Sequence, residues 1–415
     1  MHPMVKPALR QGWRDLNTVQ FGMTPAHAIT LGPVDPATGS FLRLLNGARG
    51  LPLLREEGRR MDLADGHVDA LLRRLGRAGL LDDMRGGSPD AEALRERGDA
   101  LDRLRPDLAS LSLSTSEPGA ALGLLAARRS LRVRVHGAGR VGAVLAALLS
   151  GAGVGEVDVR DVGRVEPWDV APGGLPAESV GERRDEAARA AVRRAAPDRP
   201  PRRARASPLT EPATAEAGLS LVIVAPRDEV AVHAPDPFTT ERLMASGTPH
   251  LYAGVVEGTA VVGPLVLPGE TSCAGCLHED RTDGDPAWPR LVTQWRCGAA
   301  RRVGACDLTL AVAVAGLAAA HALTFLDGGS PSSAGARWEA SLPALTWHSR
   351  PIAPHPACAC GALEKGKGKG KGAVRGEHSS ARGVPRATMA VQRPSAGRRR
   401  ESGAAGPTGT WRAHV

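Results

Sequence analysis

Two groups of residues in this 415-residue chain combine types and spacings that can do chemistry. The first is the run Gly137-Ala138-Gly139-Arg140-Val141-Gly142, with Asp161 about 20 residues beyond it. In such a run one glycine allows a tight turn, a second lets backbone N–H groups approach a phosphate, and a third lets a helix pack closely on a strand. The helix N-terminus behind the turn offers unpaired donors and a partial positive charge to an anion. A carboxylate such as Asp161, at the tip of the following strand, can hydrogen-bond ribose hydroxyls. The candidate nucleotide contacts are therefore Gly137, Ala138, Gly139, Arg140, Gly142 and Asp161; a glycine turn with no nucleotide is the plainer alternative.

The second group is Cys273-Ala-Gly-Cys276 and Cys358-Ala-Cys360. Two close pairs make a tetrahedral four-sulfur zinc site if the fold brings them together, and free buried cysteines if it does not. Such a site has no open position and would be structural, pinning the later segment to the sheet. His278 and His355 flank the pairs and could replace a thiolate. Cys297, in the polar loop Gln294-Trp-Arg-Cys-Gly beside arginines that would stabilise a thiolate, is a conceivable nucleophile or an incidental loop cysteine. Cys306 opens an Ala-rich helix and packs.

The elements that must position these residues can be read from apolar periodicity. Residues 131–135 alternate as a strand, residues 141–149 continue at helical spacing, and residues 156–159 form a second strand ending at Asp161. Residues 180–196 are helical in pattern, 197–212 form a breaker-rich loop, 219–225 and 251–256 are buried strands, and 239–245 is a helix between them. Alternating strands and helices predict an α/β fold with a mostly parallel sheet. Before it, residues 18–23 and 27–31 are strands, 38–45 a short helix, and 67–75 a helix with Val68, Leu71, Leu72 and Leu75 on one face. Strands followed by short helices fit a small winged-helix-like α+β domain over residues 1–85. Residues 86–117 read as a linker or helical connector in which 91–104 form an exposed helix, and 118–361 as the nucleotide-binding domain. Residues 362–415, with four Gly-Lys repeats and no apolar periodicity, read as a disordered basic tail.

Composition narrows the partners. The formal charge of +9 invites a nucleic-acid reading, but residues 364–415 hold four Lys, eight Arg and three Glu and so account for all of it. The preceding part is neutral, which removes the electrostatic footprint of a nucleic-acid-binding body. The Arg-rich stretch 183–194 reads as a solvated helix face. The start of the chain has no apolar stretch of signal-peptide type, and residues 308–326 read as a buried core helix rather than a membrane span, so a cytoplasmic protein is expected.

The glycine loop HGAGRVG, the following SGAGVGEVDVRD and VEPWD, the Cys-x-x-Cys with a later Cys-rich pair, and the helix AVAVAGLAAAHAL together resemble the ThiF/MoeB/HesA family of ubiquitin-activating-enzyme-like adenylyltransferases. The resemblance covers about residues 118–361. It implies a Rossmann-like ATP domain that adenylates the carboxylate of a small protein or peptide, as a homodimer. Residues 1–85 are similar to PqqD-like peptide-recognition domains of thiazole/oxazole-modified peptide biosynthesis, which implies binding of a precursor leader peptide by strand addition to a sheet edge.

Carried onto this chain, the family lysine that contacts phosphate corresponds to Arg184, and the aspartate that helps bind Mg2+ falls at Arg227 or, with a one-residue shift, at Asp228. Gly163 stands in place of the second acidic residue, and Asp169-Val-Ala-Pro172 in place of Asn-Leu-x-Arg. The implied catalytic residues are Arg184 and Asp228. The alternative is a catalytically degenerate scaffold that delivers the peptide to a partner cyclodehydratase, and a further one is an NAD-dependent oxidoreductase using the same turn.

Overall fold

The computed structural model of the protein describes residues 1–83, 85–198, 218–298 and 303–363. The expected basic tail, 362–415, lies outside them from residue 364 onward, as does the loop 197–212 beyond its first two residues.

The chain begins with β1 (Pro3–Val5), β2 (Gln11–Asp15), β3 (Thr18–Phe21) and β4 (Ile29–Leu31), continues through α1 (Pro36–Leu42), α2 (Leu51–Arg60) and α3 (His67–Arg77), and returns in β5 (Leu81–Asp83). Strands β2, β3 and β4 form an antiparallel sheet, and β5 closes the unit by pairing antiparallel with β1. Helix α1 starts where Asp35 Oδ1 accepts the Thr38 N–H at 2.8 Å with Pro36 at the first helical position. The face of α3 that the spacing predicts, Val68, Leu71, Leu72 and Leu75, is buried against Phe21, Phe41 and Leu54. Each such side chain contributes about 1.5–3 kcal/mol by leaving water. Every residue of the edge strand β2 is exposed.

Next come α4 (Pro89–Arg95) and α5 (Gly98–Ser114), which correct the expected exposed helix at 91–104. Ala91, Leu94, Leu104 and Leu111 form a small apolar cluster with Leu122 and Leu125 of α6 (Ala120–Arg128). Apolar residues recurring at three- and four-residue intervals gave this segment a face to bury. Lys6, the single lysine before residue 365, is buried and donates to the Thr115 carbonyl at 2.5 Å, tying the first unit to the end of α5.

The larger part runs β6 (Arg132–His136), α7 (Arg140–Gly151), β7 (Glu156–Arg160), α8 (Arg184–Ala195), β8 (Leu221–Val224), α9 (Glu229–His233), α10 (Pro237–Ala245), β9 (His250–Val256), β10 (Thr259–Val266), α11 (Ala274–Gly284), α12 (Trp288–Cys297), α13 (Leu308–Leu326), β11 (Ala336–Ser341) and β12 (His348–Pro351). Its strands form one sheet of seven in the order β12-β11-β10-β9-β8-β6-β7. Strands β7, β6, β8 and β9 are mutually parallel; β10 and β12 run against the other five. The chain leaves β6 for β7 on one side and later returns to β8 on the other, so a crevice opens at the carboxyl ends of β6 and β8. Open α/β sheets bind ligands at such a point.

Helix α13 is long and apolar enough, by length and composition, to cross a membrane, but it packs on α7 and the sheet through Leu310, Ala311, Val314, Ala315 and Ala318, all buried. Its one imidazole, His321, is buried and paired with Ser333 Oγ at 2.8 Å. Cys297 ends α12 and is exposed, which corrects its expected place in a loop. The helical segment after β7 starts at Arg184, later than the pattern from residue 180 predicts, with Ala187, Ala188, Ala191 and Val192 buried and Arg193 and Arg194 exposed.

Candidate functional site

The three glycines of the turn between β6 and α7 each meet a different wall. Gly137 has φ +106°, a region that disfavours side chains, and a Cβ there would overlap the Ala225 carbonyl at the end of β8. A Cβ on Gly142 would overlap the carbonyl of Gly137, so this glycine lets α7 lie against its own turn. At Gly139, whose backbone is extended, a Cβ would stand 2.7 Å from Cγ of Arg227. The arginine side chain therefore lies directly on the turn.

Asp161 reaches back under the same turn. Its Oδ2 accepts the Ala138 N–H at 2.6 Å and its Oδ1 accepts Val162 N–H at 2.6 Å and Arg184 Nη1 at 3.0 Å. The Arg184 side chain is only 6% exposed. Its Nε donates to Asp169 Oδ2 at 3.1 Å, Nη1 also to the Val162 carbonyl at 2.6 Å, and Nη2 to the Arg164 carbonyl at 2.5 Å. Asp169 is 3% exposed by side chain and is shared: its Oδ1 accepts Arg227 Nε at 2.8 Å. Arg227 Nη2 pairs in turn with Glu166. Two arginines and three carboxylates thus form one continuous network across the turn. Hydrogen bonds and the charges of Glu166 and Asp169 outweigh the half-burial of Arg227 and raise its pKa above the ordinary guanidinium value.

In front of this network is a cavity of about 1360 Å³. Gly139, Arg140, Gly142, Arg227 and Asp228 line it, and so do His233, Gln294, Trp295 and Arg296. Arg140 donates to the Cys306 carbonyl at 2.9 Å, holding the segment before α13 against the start of α7. Asp228 caps α9, its Oδ1 accepting the Val230 N–H at 3.0 Å. Burial, together with the charges of Arg281 and Arg337, lowers the His233 pKa to about 4, so its ring is neutral near pH 7. Burial raises the Cys306 thiol above its ordinary value.

The sequence matches the ThiF family over residues 117–362, more than half of the chain. The chain belongs to the ThiF family. No curated protein matches it. Among solved structures, E. coli MccB with AMPCPP and MccA is similar with a TM-score of 0.62 at 13% identity, covering 87% of this chain and 100% of that one. MccB with ATP gives 0.61 at 14% identity, covering 87% and 99%. PaaA gives 0.59 at 16% identity, covering 84% and 99%. At these identities the likeness is one of fold.

This ThiF-family fold brings all four expected cysteines together. Cys273 and Cys276, at the start of α11, stand beside Cys358 and Cys360, with Cys273 Sγ to Cys358 Sγ 3.5 Å and Cys276 Sγ to Cys360 Sγ 3.4 Å. All four sulfurs lie within 4.8 Å of one another. Four thiolates at about 2.3 Å from a zinc would be about 3.8 Å apart, so the set fits one tetrahedral ion. Gly275 leaves the room: a Cβ there would come within 3.0 Å of Cys358 Sγ. The thiols already compete for protons, the hydrogen bond from Cys273 drawing the Cys276 pKa down to about 4 while burial pushes Cys358 up to about 11. The flanking histidines are engaged elsewhere, His278 Nδ1 accepting from Trp288 at 3.1 Å and His355 paired with Asp283 at 3.0 Å.

The structure thus gathers Gly137, Ala138, Gly139, Gly142, Asp161 and Arg184 around one turn, with Arg140 and Asp228 at the cavity. Of these, Gly137, Ala138, Asp161 and Arg184 are not among the cavity-lining residues. Sequence reasoning overlooked Glu166 and Asp169 as partners of Arg227, and the His233–Trp295 wall. The signal for the first was available: the departures from the family pattern at 169 and 227 are opposite in charge, as expected of two residues that meet.

Proposed function

We propose that this ThiF-family protein is a peptide-binding scaffold whose nucleotide site is closed by its own ion pairs. The observation that carries the reading is the position of Arg227, which covers Gly139 and is held there by Asp169 and Glu166. A cation spent on two carboxylates stands where the family resemblance implies a magnesium-binding acid. Arg184 then acts as the strut between Asp161 and Asp169 rather than as a phosphate ligand, and Ala138 N–H serves the Asp161 carboxylate rather than a phosphate. Residues 1–83 would capture a leader peptide as an added strand on a sheet edge. The scaffold would deliver that peptide to a partner cyclodehydratase in the cytoplasm, as a homodimer. The four cysteines would hold a structural Zn2+, having no open position for chemistry.

A second reading is favoured by the intact glycine turn and by the likeness to MccB, solved with AMPCPP and MccA. Here the protein is an adenylyltransferase that binds ATP and Mg2+ and activates a peptide carboxylate, the network opening so that Arg184 holds phosphate and Asp228 positions the metal. ATP–pyrophosphate exchange with a cognate peptide separates the two. The scaffold reading expects no exchange and expects peptide binding to disappear when residues 1–83 are deleted; sustained exchange establishes the second reading.

A further inference from the structure

Part of the cavity lining is built from rings in a chain that has few of them. Aromatic residues make up 3% of the sequence, yet of seven tryptophans Trp168 and Trp295 line this cavity and Trp288 stands behind Trp295. His233, Trp288 and Trp295 meet edge to face, with centroids 5.4 Å apart for His233–Trp288, 6.1 Å for His233–Trp295 and 5.8 Å for Trp288–Trp295. Trp288 is the buried member: its indole N–H is taken by His278 and the Arg281 guanidinium lies 4.7 Å above its ring. Trp295 remains 46% exposed on the cavity side of this stack.

The charged groups nearby are largely engaged, although the buried Nε of Arg140 has no partner among the described residues. Arg227 is paired with Glu166 and Asp169, Arg140 donates to Cys306, Arg296 to the Ala234 and Pro235 carbonyls, Asp228 caps α9, and Glu229 accepts the Ala305 N–H at 2.7 Å. What this end of the cavity presents to a visitor is therefore a ring face and a neutral imidazole. A large apolar ring left open in a concave site, supported from behind by a fixed aromatic stack, is the arrangement that holds a planar apolar group.

We infer that the His233–Trp295 end of the cavity is a subsite for one aromatic side chain of a bound peptide. The inference rests on the proposed reading of the protein as a peptide binder and adds the class of side chain it accepts. Edge-to-face packing against Trp295 selects a flat ring over a branched aliphatic group of similar area. A nucleobase shares the planar chemistry, and the test separates it.

The full chain is titrated with N-acetyl-phenylalaninamide, N-acetyl-leucinamide and adenosine, followed by calorimetry and by tryptophan fluorescence. The phenylalanine amide is expected to bind saturably and more tightly than the leucine amide. Its affinity is expected to fall about tenfold in Trp295→Ala and to recover in Trp295→Phe, with unchanged melting points because the residue is half exposed. No saturable binding, equal affinity for the two amides, or equal affinity in Trp295→Ala overturns the inference. Adenosine binding more tightly than the phenylalanine amide overturns it too, in favour of a base pocket. Loss of leader binding on deleting residues 1–83 is read separately, so failure of one result leaves the other intact.

Discussion

Replacing Arg184 by Leu separates a structural strut from a phosphate ligand. In the structure this guanidinium, 6% exposed, serves Asp161, Asp169 and the carbonyls of Val162 and Arg164. Removing one partner from a buried ion pair costs about 3–5 kcal/mol, because the other charge stays desolvated. Neither carboxylate is left bare: Asp161 retains the Ala138 and Val162 amides, and Asp169 retains Arg227 and the Glu166 N–H at 3.0 Å. The expected loss therefore sits at the low end, about 3 kcal/mol, a large part of a typical domain's stability. Urea unfolding followed by tryptophan fluorescence reads this as a lower midpoint with unchanged slope. Arg184→Lys should recover only part, since an ammonium lacks the fork that spans both carboxylates. Stability within about 1 kcal/mol of the parent would refute the strut. So would unchanged stability accompanied by a selective loss of ATP affinity, which would place Arg184 among the nucleotide contacts.

Four other outcomes follow from single positions. Gly137→Ala should destabilise by about 3 kcal/mol or more in chemical denaturation, since the methyl must enter the Ala225 carbonyl at a positive φ. Gly76→Ala in α3, with nothing within 4 Å of the new methyl, should instead stabilise by about 0.5–1 kcal/mol. Elemental analysis should find one zinc per chain; Cys276→Ser or a strong chelator should remove it and lower the melting temperature, because metal binding is folding free energy here. His233, held neutral down to about pH 4, should make stability fall as pH drops from about 6.5 toward 4, because the unfolded chain takes up the proton first. That loss should be at most about 2 kcal/mol after allowance for solvent screening, and His233→Gln should flatten it.

What the sequence made legible follows from whether a pattern is local. The β6–α7–β7 unit announced itself because alternation, glycine spacing and helical periodicity occur within 30 residues, and α3 did so through Val68, Leu71, Leu72 and Leu75. Strands β1 and β5 have three residues each, too few for a period to show. Strand β10 is buried along nearly all its length and contains Gly263-Pro264, which reads as a breaker, while β12 is wholly exposed and offers no alternation. The cysteine pairs were readable because metal spacing is a chemical pattern. The meeting of Arg227 with Asp169, 58 positions apart, depends on the segments that follow β8 and β7, the two strands on either side of β6, converging on the turn, and nothing local encodes that.

The charge arrangement around the turn bears on whether ATP can enter at all. A triphosphate needs donors and cations that are free or easily freed, and a metal to screen it. Here the Ala138 amide faces Asp161, Arg184 and Arg227 are paired with carboxylates, and Asp228 is used as a helix cap, while Arg140 at the start of α7 keeps a buried Nε with no partner among the described residues. Moving Arg227 toward a phosphate would leave Glu166 with only the 3.9 Å contact to Arg184 and Asp169 with Arg184 as its one guanidinium, and moving Arg184 would leave Asp161 with the Ala138 and Val162 amides and Asp169 with Arg227. Each gain in phosphate contact is opposed by carboxylates at the same place, which is why the scaffold reading expects the closed network to persist. A peptide added to a sheet edge among residues 1–83 disturbs none of these contacts. The two ligands should accordingly differ in a simple thermal measurement: ATP with Mg2+ leaving the melting temperature unmoved, the leader peptide raising it in proportion to its occupancy.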